Sequence, residues 1–390
     1  MYDRIKSILS EIKESGNYRV LRYIKPVSAT KILYNGKEYL NLCSNSYLSL
    51  HVHPVVLQAA KDALLEYGAG SCSSRSLSGS VDILKIFERD FADFKGYKKC
   101  LVFSCGYMAN MGIIPTITTE KDTIFTDELN HSSLIYAVRL SKAKKVIYRH
   151  RDVNHLEDLI KKELKRDGKG FIVTESIFSM DGDIAPLKEI LALKERYGLY
   201  TIVDDAHGTG VFGEDGSGVE EALGIKGSAD IHMATLGKAL GSFGGAVFSD
   251  PYTIRLLINR AKTFMYTTAL PPSIVAAAHK ALNLIRGDKE LVRQLWENVN
   301  YVRDRLTSLG FNLKESVGPI IPIIVGDDRT TVKLQRMLMS KGLFIQAIRP
   351  PTVPPNTSRL RFTVVRAFTK TELDYIIDTL YKSARFFGIV

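Results

Sequence analysis

The sequence predicts an α/β protein: a large, mostly parallel, seven-stranded sheet covered by helices on both faces, followed by a smaller α+β unit. Three observations predict this. Between about residues 100 and 248, short β-rich runs alternate with helical stretches, the pattern of strand–helix–strand crossovers. The runs are almost wholly apolar, as strands buried on both faces must be. After Asp250 the alternation stops, and longer amphipathic helices separate fewer strands.

Taken in order, Met1 to Ser15 mixes acids with bases and places Ile5, Ile8, Leu9 and Ile12 at helical spacing. That reads as an amphipathic helix rather than a secretory signal. The seven strands are expected at Cys100–Phe103, Thr123–Phe125, Lys145–Tyr148, Phe171–Thr174, Tyr200–Val203, Ile231–Ala234 and Gly245–Phe248. Further on, Leu291–Leu309 and Thr331–Leu338 read as helices, and Ile320–Val325, Leu343–Ile348 and Leu360–Val364 as strands. A last helix runs from Lys370 to Phe386 with Leu373, Ile376, Ile377, Leu380 and Tyr381 on one face. The expected division is an N-terminal arm over 1–50, a large domain over 51–250 extending to about 280, and a small domain over 281–390. No repeat or low-complexity linker separates them, so close packing is expected.

Composition narrows the function classes. The 390 residues can bury a core without disulfide or metal staples. Hydrophobic residues at 45% and charged residues at 24% exclude a disordered or collagen-like chain. No run approaches 18 apolar residues, so no membrane span is expected. Cys43, Cys72, Cys100 and Cys105 form no CxxC motif and no zinc spacing, which suits a reduced, cytoplasmic protein without a metal. The net charge of +11, from 53 Lys and Arg against 42 Asp and Glu, is the unusual number. The basic residues are spread along the chain without a block of five or six, as on solvated faces. Anionic small ligands are the next reading. A nucleic-acid binder would need clustered Lys and Arg interleaved with exposed aromatics, which are not found.

Four segments could carry chemistry. In Val203-Asp204-Asp205-Ala206-His207-Gly208, an apolar strand ends in two acids and a His. Ligands of open parallel sheets bind beyond such strand ends, and an acid there can pair with a cationic ring nitrogen. The same acid could equally be a helix cap. In Thr235-Leu236-Gly237-Lys238-Ala239-Leu240-Gly241, a strand runs into a Gly-flanked lysine. Lysine forms Schiff bases, best when desolvated, and this is no Walker A loop because the GxxxxGK[ST] spacing is absent. A surface loop lysine is the alternative. Ser104-Cys105-Gly106-Tyr107-Met108-Ala109-Asn110 leads a strand into a helix, a common turn whose free N–H groups can hold phosphate. His131 could stack on an aromatic ligand or be structural. Together the four supply what pyridoxal phosphate needs: an amine for its aldehyde, an acid for its ring nitrogen, a phosphate turn and a stacking ring.

With these segments in view, the chain resembles the α-oxoamine synthases, fold-type I pyridoxal phosphate enzymes that condense an amino acid with an acyl-CoA. The resemblance spans about Arg19 to the last helix. It rests on Ser44-Asn45…Tyr47-Leu48, Gly68-Ala69-Gly70-Ser71, Thr174-Glu175…Phe178-Ser179-Met180-Asp181-Gly182-Asp183, Val203 to Gly210, and Thr235…Gly237-Lys238. Ala347 to Pro354 with Thr357-Ser358-Arg359-Leu360-Arg361 is similar to the biotin-pathway branch, which joins L-alanine to pimeloyl-CoA or another pimeloyl thioester. Glycine with acetyl-CoA is the rival within the family.

The resemblance implies roles. Lys238 carries the cofactor and shuttles the α-proton. Asp204 pairs with the ring nitrogen, His207 bonds the phenolic oxygen, His131 stacks on the ring and Ser179 contacts the cofactor. Gly106, Tyr107 and Thr235 serve the phosphate, and Thr267 serves that of a neighbouring subunit in a homodimer. Arg361 takes the amino-acid carboxylate. Arg19, Arg22, Asn45, Arg349 and Thr352 are substrate candidates. The chain also departs from the family pattern. Ser49, Cys72, Ser73 and Asn356 stand where glycine is usual, Ser46 replaces an Asp, and Arg366-Ala367-Phe368 replaces Ala-Ala-His.

Overall fold

The structure is a computed structural model that describes residues 1–14 and 18–390. Ser15, the last residue of the expected N-terminal helix, lies outside the described residues. Tyr2–Glu14 is helical, and none of its residues is buried.

Three short strands follow: β1 (Lys25–Pro26), β2 (Lys31–Tyr34) and β3 (Lys37–Asn41), paired antiparallel. The central sheet is formed by β4 (Lys99–Phe103), β5 (Thr123–Asp127), β6 (Lys144–Tyr148), β7 (Gly170–Glu175), β8 (Tyr200–Asp204), β9 (Ile231–Thr235) and β10 (Gly245–Ser249). Its order is β4-β10-β9-β8-β7-β5-β6. β5 to β9 are mutually parallel, and β10 runs antiparallel to both β9 and β4. All seven fall where the apolar runs placed them, within two residues at either end.

The period of two along each strand divides the sheet's side chains between two cores. Phe125, Ile172 and Val203 point into one, which continues through Leu306, Phe362 and Leu373 in the C-terminal part. Ile124, Val173 and Ile202 point into the other, with Ile113, Met233 and Leu257. By the same alternation Asp204 falls on the Ile202 side and Asp205 on the Val203 side. β5, β7, β8 and β9 end in Asp127, Glu175, Asp204 and Thr235 along one edge of the sheet. β4 points the same way, because its only neighbour β10 is reversed, so the turn at Ser104–Gly106 opens onto that edge as well.

The C-terminal part holds β11 (Ile320–Gly326), β12 (Leu343–Phe344), β13 (Gln346–Ile348) and β14 (Ser358–Thr363). The run expected as one strand over Leu343–Ile348 is split. β12 pairs parallel with β3, and β13 pairs antiparallel with β14. An apolar run sets burial, not the choice of neighbour, and here the chain changes sheet at the buried Ile345. The last helix, Lys370–Phe386, starts at a reciprocal cap: Glu372 N–H donates to Thr369 Oγ1 and Thr369 N–H to Glu372 Oε2.

Three positions where the family pattern has glycine keep the glycine conformation. Ser49, Cys72 and Asn356 have φ of 58°, 51° and 59°. The backbone shape survives there while the residue that adopts it freely does not.

Candidate active site

The edge where β5, β7, β8 and β9 end gathers the titratable groups. The Lys238 loop begins at Thr235, whose hydroxyl donates to the Gly244 carbonyl and accepts from Gly237 N–H, at 3.0 and 3.3 Å. This folds the loop back and sets Lys238 Nζ 2.7 Å from His207 Nε2. His207 Nδ1 lies 2.6 Å from the Tyr47 hydroxyl. Burial drives the Lys238 ammonium down to about 8, against the pull of Asp204. Burial, with the Lys238 and Arg361 charges, holds His207 well below the ordinary imidazole range. At neutral pH the ammonium therefore donates to Nε2. The neutral ring carries its proton on Nδ1 and donates to Tyr47. Burial in turn pushes the Tyr47 phenol up to about 12.

Asp204 receives Asn110 Nδ2 at 2.8 Å and Ala206 N–H at 3.0 Å. The same amide donates to Ser133 Oγ, which meets His131 Nδ1 at 2.8 Å. The N-terminus of helix Gly106–Ile117 approaches β10 so closely that a Cβ on Gly245 would sit 2.6 Å from Gly106 N. Only glycine leaves this turn's shape intact. Tyr107 and His131 meet edge to face at 6.4 Å. Arg361, on β14, is fixed from three sides: Nε donates to the Ser179 carbonyl, and Nη1 donates to Asn45 Oδ1 and Thr363 Oγ1.

The matches to known proteins agree with this constellation. The family model described as aminotransferase class I and II matches residues 37–380. The chain belongs to the class I and II aminotransferase family. Among relatives in this family, the 8-amino-7-oxononanoate synthase of Geobacter sulfurreducens is 41% identical over 98% of both chains. That of Lysinibacillus sphaericus is 40% identical over 100% of both. A serine palmitoyltransferase from S. paucimobilis, solved with a bound PLP–myriocin aldimine, is 29% identical with a TM-score of 0.94, covering 100% of this chain and 98% of its own. The 8-amino-7-oxononanoate synthase of Francisella tularensis is 28% identical with a TM-score of 0.77, over 89% of this chain and 98% of its own. The chain is thus a pyridoxal phosphate-dependent acyltransferase of the fold-type I class, acting on an amino acid and an acyl thioester.

The residues present suit that cofactor. A desolvated amine stands ready for its aldehyde, a carboxylate faces the position a ring nitrogen would take, and a glycine-tight helix N-terminus offers N–H groups to a phosphate.

The structure brings together Lys238, His207, Asp204, His131, Ser179, Asn45 and Arg361, with Gly106, Tyr107 and Thr235 on the same edge. Arg19, Arg22, Arg349 and Thr352 form a second group, lining a cavity of about 430 Å³. There Arg19 Nη2 donates to Thr352 Oγ1 at 3.3 Å. Gln346, which also lines it, is the register partner of Arg361. Thr267 stands apart, beside Ser104 and Arg75. A larger cavity, about 610 Å³, opens on the opposite edge between Tyr97, Phe171 and Tyr200 and contains none of these residues.

Tyr47, Asn110, Ser133 and Glu175 were given no role from sequence. Tyr47, Asn110 and Glu175 lie inside the motifs that were singled out. A signal existed for Glu175: like Asp204, it is an acid that ends an apolar run. Among the described residues no helix is long and apolar enough to cross a membrane, and no His, Cys, Asp or Glu cluster is shaped for a metal.

Proposed function

We propose that the protein condenses L-alanine with pimeloyl-CoA, or another pimeloyl thioester, to 8-amino-7-oxononanoate with release of CO2 and the thiol, a step of biotin synthesis. The observation that carries the reading is the Lys238–His207–Tyr47 chain beside Asp204, on a chain about 40% identical over its full length to synthases of that name. When bound, the cofactor supplies an electron sink for the carbanion at the amino-acid α-carbon.

Lys238 would hold the cofactor aldehyde through its free amine, and a pKa near 8 leaves a usable fraction of that amine at neutral pH. Once free again, the same amine would take the α-proton and return one after CO2 leaves. His207 holds the amine in place from one side while Tyr47 fixes the ring. Asp204 supplies a negative charge in a water-poor site, where it acts most strongly. Arg361 offers a fixed guanidinium to the amino-acid carboxylate. His131 would face the cofactor ring, Ser179 would adjoin it, and Gly106, Tyr107 and Thr235 would hold the phosphate.

Three guanidinium groups around the 430 Å³ cavity, from Arg19, Arg22 and Arg349, suit the far carboxylate of a dicarboxylic acyl chain. An acetyl group carries no far carboxylate for them to meet. Thr267, which lines a small cavity with Ser104 and Arg75, is assigned to the second site of a homodimer. The enzyme is placed in the cytoplasm.

The test is thiol release by the reconstituted protein with L-alanine or glycine against pimeloyl-, acetyl- and succinyl-CoA. L-Alanine with pimeloyl-CoA is expected to exceed every other pair by at least about tenfold, as recognition of a charged group allows. Glycine with acetyl-CoA as the best pair would overturn the substrate assignment. No cofactor absorbance after reconstitution would overturn the whole reading.

A further inference from the structure

Glu175 ends β7 directly beside Asp204, which ends β8; the two are register partners. Neighbouring strands lie about 4.8 Å apart and paired residues share a face, so two carboxyl groups are stacked side by side with little water. Asp204 collects two N–H donors, Asn110 Nδ2 and Ala206 N–H. Glu175 collects one, the His131 N–H, at 2.6 Å. The extra donor settles the negative charge on Asp204. Burial, and then the Asp204 charge, hold the Glu175 carboxyl well above the usual range, which disfavours its charged form.

The segment that Glu175 grips is held at Asn130 as well. Asn130 Nδ2 donates to the Val173 carbonyl and Thr126 Oγ1, and its Oδ1 accepts Glu175 N–H. Its neighbour His131 begins helix Ser132–Leu140 and is tied to Ser133 through its ring. Ser133 passes the contact to Asn110 and so to Asp204. Glu175 therefore closes a loop of contacts, Glu175–His131–Ser133–Asn110–Asp204, whose ends are register partners.

We infer that Glu175 is a positioning residue: its carboxyl oxygen fixes the His131 main chain and thereby sets the face that the His131 ring presents to the reacting centre. This inference rests on the proposed reaction, in which His131 faces the cofactor ring. What the position needs is a neutral side chain with an acceptor oxygen at the right reach, not a charge.

The experiment compares Glu175→Gln, Glu175→Ala and Glu175→Asp as reconstituted holoenzymes. Thiol release gives kcat and KM, and the cofactor absorbance is followed between pH 6 and 9. Glutamine keeps the oxygen and is neutral, so kcat within about threefold and an unmoved absorbance midpoint are expected. Alanine removes the acceptor. A loss of about 10- to 100-fold in kcat is expected, as for a small misplacement, with a displaced midpoint and a KM for the amino acid changed less than kcat. If the alanine variant does not fold, as its cofactor-free melting curve would show, the aspartate variant replaces it. Aspartate keeps the carboxyl but withdraws it, and the same loss is expected. Normal kcat and spectrum in the alanine or aspartate variant would overturn the role. A glutamine variant as damaged as alanine would overturn the neutral-acceptor reading. A wild-type protein that binds cofactor but does not turn over the proposed pair sinks the substrate assignment alone. The absorbance midpoints still report on Glu175 in that case.

Discussion

Asp204 and Asp205 are adjacent in sequence and both buried, yet they serve opposite ends. Asp204 faces a cluster whose charges are left unmatched: the Lys238 amine is driven down to about 8 and His207 well down, chiefly by burial. Asp205, on the other face, sits in a cluster whose charges match. Lys95 Nζ donates to it at 2.8 Å and to Thr209 Oγ1 at 3.0 Å, as well as to the Ser217 carbonyl. Asp205 also accepts from Ser176 Oγ at 2.6 Å. His232 lies 3.5 Å from both Asp205 and Glu220, and Tyr97 donates to Glu220 at 2.9 Å. Burial works against the Asp205 charge, but Lys95 and His232 overcome it and hold the carboxyl far down. Burial and Lys95 likewise oppose the His232 charge, and Glu220 and Asp205 prevail, leaving it raised. Lys95 and His232 face two carboxylates there. The difference teaches that burial is common to both clusters, and that charge balance separates the structural one from the reactive one.

The sharpest test replaces the lysine of each cluster. Lys238→Met is expected to cut thiol release by at least about 10³-fold, while the cofactor-free protein melts no lower than wild type, because a desolvated amine has been removed. Lys95→Met is expected to cost about 3–5 kcal/mol in urea unfolding, since it strips Asp205 of the cation hydrogen-bonded to it. If Lys95→Met lost under about 1 kcal/mol, or if Lys238→Met unfolded the protein, the division would collapse.

The pH dependence separates the clusters more finely. A lysine ordinarily titrates near 10.5, and folded Lys238 near 8. Between those values the unfolded chain holds a proton that the folded chain lacks. Stability from this group therefore rises with pH across about 8 to 10.5 and is flat below 8. Urea midpoints of the cofactor-free protein should show that rise in wild type and not in Lys238→Met. An unchanged slope in the variant would mean the amine is not desolvated.

The difference between the clusters was only half legible in the sequence. Strands were readable because burial on both faces leaves an apolar run with a sharp end, and Asp204, His207 and Lys238 stood out because they follow such ends. The split of Leu343–Ile348 was not readable, because pairing is decided by β3 and β14, more than 300 residues away in one case and a dozen in the other. Nor could the sequence tell Asp204 from Asp205 by chemistry alone. Their roles diverge through Asn110 and Lys95, which the chain brings in from two different helices.

A smaller effect tests whether the reactive cluster depends on backbone strain beside it. Ser49 lies two residues after Tyr47, in the left-handed region at φ 58° and ψ 24°. Its buried hydroxyl has no partner. The backbone penalty for a residue other than glycine is about 1–2 kcal/mol, and an unpaired buried hydroxyl adds about 1–3 kcal/mol. Glycine forfeits about 0.5–1 kcal/mol through its freer unfolded chain. Ser49→Gly is therefore expected to stabilise the protein by about 1–4 kcal/mol in urea unfolding. Tyr47 and Leu48 are held independently, by Arg366 N–H on the Tyr47 carbonyl and Arg366 Nε on that of Leu48. That anchorage should keep the Tyr47 hydroxyl against His207, so kcat should stay within about threefold. A stabilised variant with a much lower kcat would show instead that the strain at Ser49 sets Tyr47, and that the reactive cluster draws on backbone conformation as well as on unmatched charge.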